Sequence, residues 1–188
     1  MKRIFIAIKI VAGKELSEMI SSFRSGFSEN DIKWTHTDNI HVTLAFLGDT
    51  DEKLIEDISA MLSRVCVQHK PFRLLLKGAG LFRSISDPRI IWAGVEPSDE
   101  LSSLNSAIIA GLKKLNIRLE NRPFNPHLTI GRIKHLPDPP VLQSLITGYR
   151  NIVLQKVDVK EVILFESLLL RTGPVYKPVS SFPLETKC

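Results

Sequence analysis

Apolar positions recur along this chain in two rhythms, period two and period 3.6, and the switches between them mark its elements. Arg3 to Ile10 is apolar and β-branched, which predicts a buried strand ended by Gly13. Leu16, Met19, Ile20, Phe23 and Phe27 then fall at helical spacing. Lys33–Thr35 reads as a short strand with Trp34 turned into the core. The run from Asn39 to Gly48 is a further strand. Asp49, with Glu52 three residues on, predicts the cap of a second helix with Leu54, Ile55, Ile58, Met61, Leu62 and Val65 as its buried stripe. Pro71–Lys77 predicts a strand. Gly78-Ala79-Gly80 after it has no third glycine and no following helix, so it reads as a bend or bulge and not as a phosphate loop. Ser84–Pro88 is turn chemistry leading a hairpin into Arg89–Val95, and Pro97-Ser98-Asp99 caps a third helix carrying Leu101, Leu104, Ile108, Leu112 and Leu115. Two prolines lead into a strand from His127. A loop over His135–Pro140, a short helix over Val141–Tyr149 and three strands, Ile152–Val159, Val162–Leu170 and Val175–Phe182, complete the chain.

The elements come in two similar passes, each ending in the same four-residue pattern: His41-Val42-Thr43-Leu44 and His127-Leu128-Thr129-Ile130. On an extended strand alternate side chains share a face, so each motif offers an imidazole beside a hydroxyl while Val42, Leu44, Leu128 and Ile130 point to the core. A histidine on a strand is more often structural than catalytic. With five His and eight Thr, however, composition predicts only about 0.1 His-x-Thr-apolar matches by chance, so two on predicted strands call for a cause. Two α+β halves related by an approximate twofold would bring the motifs to one seam, where they could flank a single phosphate.

Composition narrows the class without naming it. A chain of 188 residues, 44% hydrophobic and 24% charged, fits one globular domain over residues 1–188. A net charge of +5 and a pI of about 9.3 lean toward a polyanionic partner. Cys66 and Cys188 have no metal-ligand spacing, no stretch has the length of a membrane span, and Lys9 interrupts the one signal-like run. A cytoplasmic protein is the expectation, with Cys66 as a small core residue.

The doubled motif resembles the two signatures of the two-histidine (2H) phosphoesterases, and within them the RNA 2′,3′-cyclic phosphodiesterases, also called 2′-5′ RNA ligases (LigT-like). Arg3-Ile4-Phe5-Ile6-Ala7, Trp34, Phe46-Leu47-Gly48, Pro71-Phe72, Gly78-Ala79-Gly80-Leu81-Phe82, Pro126, Arg132, Ser167 and Gly173-Pro174-Val175-Tyr176 extend the likeness over nearly the whole length. The resemblance implies a bilobal α+β fold, with two antiparallel β-sheets lining a central cleft, helices outside, and a pseudo-twofold duplication. It implies hydrolysis of RNA or nucleotide 2′,3′-cyclic phosphate ends to 2′-phosphates, with no metal and no cofactor, by a monomer that needs no membrane. It makes His41 the proton donor to O3′ and His127 the proton acceptor from water, a division the residues alone leave open. It also suggests that Phe46 stacks on a base and Arg132 contacts the phosphate. Strict alternation puts both on the face opposite the histidines. Gly131 allows a bulge before Arg132, whereas Ala45 offers Phe46 no such help.

Histidine suits both proton transfers because its ordinary pKa is near neutrality, and Thr43 and Thr129 can donate to the non-bridging oxygens. Three other readings use the same residues: a non-catalytic RNA or nucleotide binder, a 2′-5′ RNA ligase running the reaction backwards, and a metal site on the two histidines. No Cys, Asp or Glu stands in ligand spacing for the last.

Overall fold

The computed structural model describes residues 1–119, 123–171 and 173–185. Among these residues the chain forms nine strands and four α-helices: β1 (Lys2–Lys9), α1 (Lys14–Gly26), β2 (Ile32–Trp34), β3 (His41–Thr50), α2 (Lys53–Cys66), β4 (Phe72–Phe82), β5 (Ile90–Val95), α3 (Asp99–Lys114), β6 (His127–Ile133), α4 (Pro139–Tyr149), β7 (Val153–Val159), β8 (Glu161–Leu170) and β9 (Gly173–Pro183). The hydropathy rhythm places all of them to within a few residues, except that β4 runs past its expected end at Lys77, through Gly78-Ala79-Gly80, to Phe82. One start signal misleads: β3 continues through Asp49 to Thr50, and the side chain that meets the head of α2 is Asp51, whose Oδ1 accepts from the Lys53 amide at 3.0 Å. Cys188 lies outside the described residues.

The strands lie in the order β7-β4-β5-β6-β3-β1-β8-β9, with β2 also on β6. Every pairing is antiparallel. The expectation of two sheets needs one correction: the ladder continues across the middle through a single pair, Val42 opposite Leu128, giving one strongly curled sheet. On either side of that pair the order is the same in form, a motif strand at the seam and three strands beyond it.

Helices cover one face. The main core joins Ile4, Ile6 and Ile8 of β1 to Leu16, Met19 and Phe23 of α1, Ile58 and Leu62 of α2, and Leu104 and Ile108 of α3. Cys66 is part of it, and burial pushes its thiol up to about 12, the value of an inert core residue. The helices cross over. α3, from the second pass, lies against β3 and α2, while α1, from the first, lies against β7 and α4. The second crossing is clamped by Gln155 on β7, which accepts from the Gly13 amide at 2.7 Å and donates to the Val11 carbonyl at 2.9 Å.

The other face carries a small separate apolar cluster of Phe5, Ala7, Ile163 and Phe165 with Tyr176. Gly78-Ala79-Gly80 is a bulge: Gly78 has φ +77, and the β4–β5 register slips between Leu76 and Ala79. Gly80 lets the Trp92 indole lie flat on the strand, because a Cβ there would overlap its ring. Gly80→Ala should therefore cost about 1–3 kcal/mol of overpacking, read as a lowered denaturation midpoint with the m-value unchanged.

Candidate active site

The Val42–Leu128 pair decides how the two motifs meet. Both side chains are fully buried, at 0% exposure, so the residues flanking them face away from the core. Continuing the antiparallel register opposes His41 to Thr129 and Thr43 to His127. Two imidazoles and two hydroxyls thus form a quartet on the helix-free face, each histidine across the seam from the other motif's threonine. All four are partly exposed.

Both rings are anchored in the same way. His41 Nδ1 lies 2.6 Å from the Asn39 carbonyl and His127 Nδ1 lies 2.8 Å from the Asn125 carbonyl. A carbonyl can only accept, so Nδ1 carries the hydrogen, and among the described residues neither Nε2 has a hydrogen-bond partner. An asparagine two residues before each histidine is a shared signal that the His-x-Thr pattern leaves out. Asn39 is itself tied down, its Nδ2 donating to the Pro174 carbonyl at 2.8 Å. Aromatic walls fix the ring planes. His41 packs against Phe5 (5.0 Å between centroids) and edge-on to Tyr176 (5.2 Å), and His127 stands edge-on to Phe82 (4.6 Å).

Phe46 and Arg132 reach the same face because each strand carries a bulge, in both cases at the fourth motif residue. Opposite β3, Ala7 pairs with Thr43 and Ile6 with Ala45, leaving Leu44 over. Opposite β6, Trp92 pairs with Thr129 and Ile91 with Gly131, leaving Ile130 over. The buried doublets Leu44-Ala45 and Ile130-Gly131 shift the alternation by one, so Phe46 and Arg132 become exposed five residues after their histidines. The obstacle foreseen for Phe46 is thus removed by Leu44, not Ala45. Phe46 pairs with Phe5 across β1, and the Arg3 guanidinium lies 5.0 Å from its ring centroid.

Both histidines are held below the ordinary value of 6.5, chiefly because burial disfavours the charged ring. The carbonyl bonds oppose this and the Arg132 charge adds to it. The charges of the two rings also oppose each other, which disfavours protonating both at once. Burial raises the Tyr176 phenol, while Arg132 and Arg3 pull it back, which puts both cations in electrostatic reach of its hydroxyl. Beside His127 opens a cavity of about 210 Å³ lined by Lys77, Phe82, Trp92, Glu96 and Pro126 among others, with Lys77 Nζ 3.4 Å from Glu96 Oε1. Among the described residues no three or more His, Cys, Asp or Glu side chains group as metal ligands. Of the other histidines, His69 closes α2 through Nδ1 and the Val65 carbonyl, 2.9 Å apart, and His36 heads a short turn.

A sequence model described as the 2′-5′ RNA ligase superfamily matches residues 14–168. The chain belongs to this superfamily. It is 35% identical over 178 residues to an RNA 2′,3′-cyclic phosphodiesterase of Thermotoga maritima, covering 93% of this chain and 91% of the relative. With an enzyme of the same name from Archaeoglobus fulgidus it shares 32% identity over 181 residues, covering 96% and 99%. A crystal structure of a Thermus thermophilus protein superposes with a TM-score of 0.79 at 26% identity, covering 97% of each chain. The Escherichia coli LigT complex with 3′-AMP has the same fold, with a TM-score of 0.74 at 24% identity over 98% of this chain and 99% of that one. No helix of the described residues is long and apolar enough to cross a membrane.

A titration followed by NMR should give both His41 and His127 midpoints below 6.5. The unfolded chain then binds protons that the fold refuses, so stability contributed by these two groups is present above pH 6.5 and is lost as pH falls below it. Denaturation midpoints that stay level from pH 7 to pH 5 in the wild type would contradict this.

Proposed function

We propose that the protein hydrolyses the 2′,3′-cyclic phosphate ends of RNA or nucleotides to 2′-phosphates, with His41 and His127 exchanging the protons. The observation that carries the reading is the shared anchoring: two imidazoles on one face, both fixed through Nδ1 to an asparagine carbonyl. A binding protein has no use for two proton carriers set in this way.

In the forward direction His127 Nε2 takes a proton from water as its oxygen attacks phosphorus. The P–O3′ bond breaks on the opposite side, and His41 Nε2 delivers its proton to O3′. The electron pair of the broken bond stays on O3′, and the product keeps its phosphate on O2′. Thr43 and Thr129 donate to the non-bridging oxygens as charge builds there, and Arg132 adds a charge-assisted contact. The donor role needs a protonated His41, and burial disfavours that charge in the empty site. A bound phosphate offsets it, since its negative charge beside His41 favours the protonated ring and counters Arg132. Phe46 offers a face on which the terminal base stacks. Proton transfer and hydroxyl donors supply the chemistry, so no metal or cofactor is required.

The whole site comes from one chain, which supports a single domain, residues 1–188, acting as a monomer. The matching strand orders on either side of the seam, and the bulge at the same residue of both motifs, support a bilobal duplication about an approximate twofold. A buried free thiol at Cys66 fits a reducing, cytoplasmic setting. One observation favours 2′-5′ ligation as a second reading: the cavity on the His127 side, at about 210 Å³, far exceeds the ~30 Å³ share of one water and could seat a nucleoside that brings its own hydroxyl.

Incubation with the four 2′,3′-cyclic mononucleotides should yield 2′-phosphates at a rate unchanged by EDTA, with a bell-shaped dependence of kcat/KM on pH. His41→Ala and His127→Ala should each lose about 100- to 10,000-fold while remaining folded, and Thr43→Ala about a hundredfold. Normal turnover in either histidine variant would end the proposal.

A further inference from the structure

Asn105 is an anomaly on α3. It is 6% exposed and sits in the buried stripe of Leu101, Leu104, Ile108 and Leu112. Asparagine is a poor helix former, and a buried amide is costly unless it is hydrogen-bonded. Its Nδ2 donates to the Leu44 carbonyl at 2.7 Å. Leu44 is the bulge residue of the first motif, left without a partner on β1. On its other side β6 pairs with β3 only at Val42. The amide therefore reaches the main chain at the residue that the β1 register skips, and a buried carbonyl needs a partner.

We propose that Asn105 is a positioning residue: by holding the Leu44 carbonyl it keeps the bulge that turns Phe46 onto the face of His41 and Thr43. Without the bulge, strict alternation would send Phe46 toward the core and bring Ala45 to the open face. The second motif is held differently. Its bulge carbonyl, on Ile130, accepts from the Thr35 main-chain amide at 2.9 Å, a bond that only proline at position 35 would remove. The dependence on a side chain is thus confined to the Phe46 arm, and the Arg132 arm is independent of it. The consequence for substrate rests on the function proposed above, in which Phe46 stacks on the base.

The test uses Asn105→Leu, which keeps size and loses the donor, and Asn105→Asp, which keeps shape and turns an acceptor on the carbonyl. Asn105→Ser, too short to reach, serves if either fails to fold. Stacking lost at Phe46 should raise KM for cyclic nucleotides about tenfold, with kcat within about twofold, as in Phe46→Ala. Combining Phe46→Ala with Asn105→Leu should be no worse than Phe46→Ala alone. By NMR the nuclear Overhauser contacts between the Arg3 side chain and the Phe46 ring should disappear in Asn105→Leu, with the His127 titration unmoved. Multiplying losses in the double variant, or Arg3–Phe46 contacts that persist in Asn105→Leu, would overturn the proposal. A wild-type protein that turns over no cyclic nucleotide would sink the function instead, and the NMR contacts would still decide the role of Asn105.

Discussion

Two apolar side chains, Val42 and Leu128, meet at the centre of the sheet, and this contact determines where the polar ones go. Each is fully buried and neither has any chemistry of its own. Because strands alternate faces, burying this pair forces His41, Thr43, His127 and Thr129 out together on the other side. Because the pairing is antiparallel, it also crosses them, histidine opposite threonine. A slip of one residue in either strand would bury an imidazole and expose a core residue, so the cost of desolvating polar groups holds the register as firmly as the ladder does. The stability of the core and the geometry of the open face therefore share one determinant.

The quartet alone would be a flat patch. Walls and reach come from departures from regularity: bulges at Leu44 and Ile130, and the left-handed Gly78 with the Gly80–Trp92 contact behind Phe82. At these two bulges the carbonyl finds a partner from a neighbouring element, the Leu44 carbonyl from Asn105 on α3 and the Ile130 carbonyl from the Thr35 amide after β2. The crossing of the helices brings α3 against β3, so a change made on α3 can be felt at the first motif.

This division explains what could be read from the residues in order. The strands, the helices, the apolar stripes and the four motif residues follow from periodicity, because burial acts on each side chain locally. Gly131 gave a local hint of the second bulge. Leu44 gave none, since a bulge at a leucine depends on an asparagine 61 positions away that reads as an isolated polar residue in a helix. The two-sheet expectation went astray for a similar reason: a seam closed by one residue pair leaves no signature in either strand. Asp49 misled because a cap signal and a strand end look alike when the strand simply runs on to Thr50.

The like anchoring of the two motifs raises a question that the histidines do not answer, because the proposed reaction, with a leaving group on one side and a nucleophile on the other, needs unlike ends. The anchoring of the two rings is alike, down to the asparagine carbonyl. The difference lies around them. His41 sits between Phe5 and Tyr176, whereas His127 stands against Phe82 beside an open cavity. The equivalent positions five residues on hold an apolar ring in one strand and a cation in the other. A nucleotide has the same division, an aromatic base at one end and a charged phosphate near the other. In the reaction proposed above it would match Phe46 and Arg132 in only one orientation, so direction would be set by the surroundings of the two histidines and not by the rings themselves.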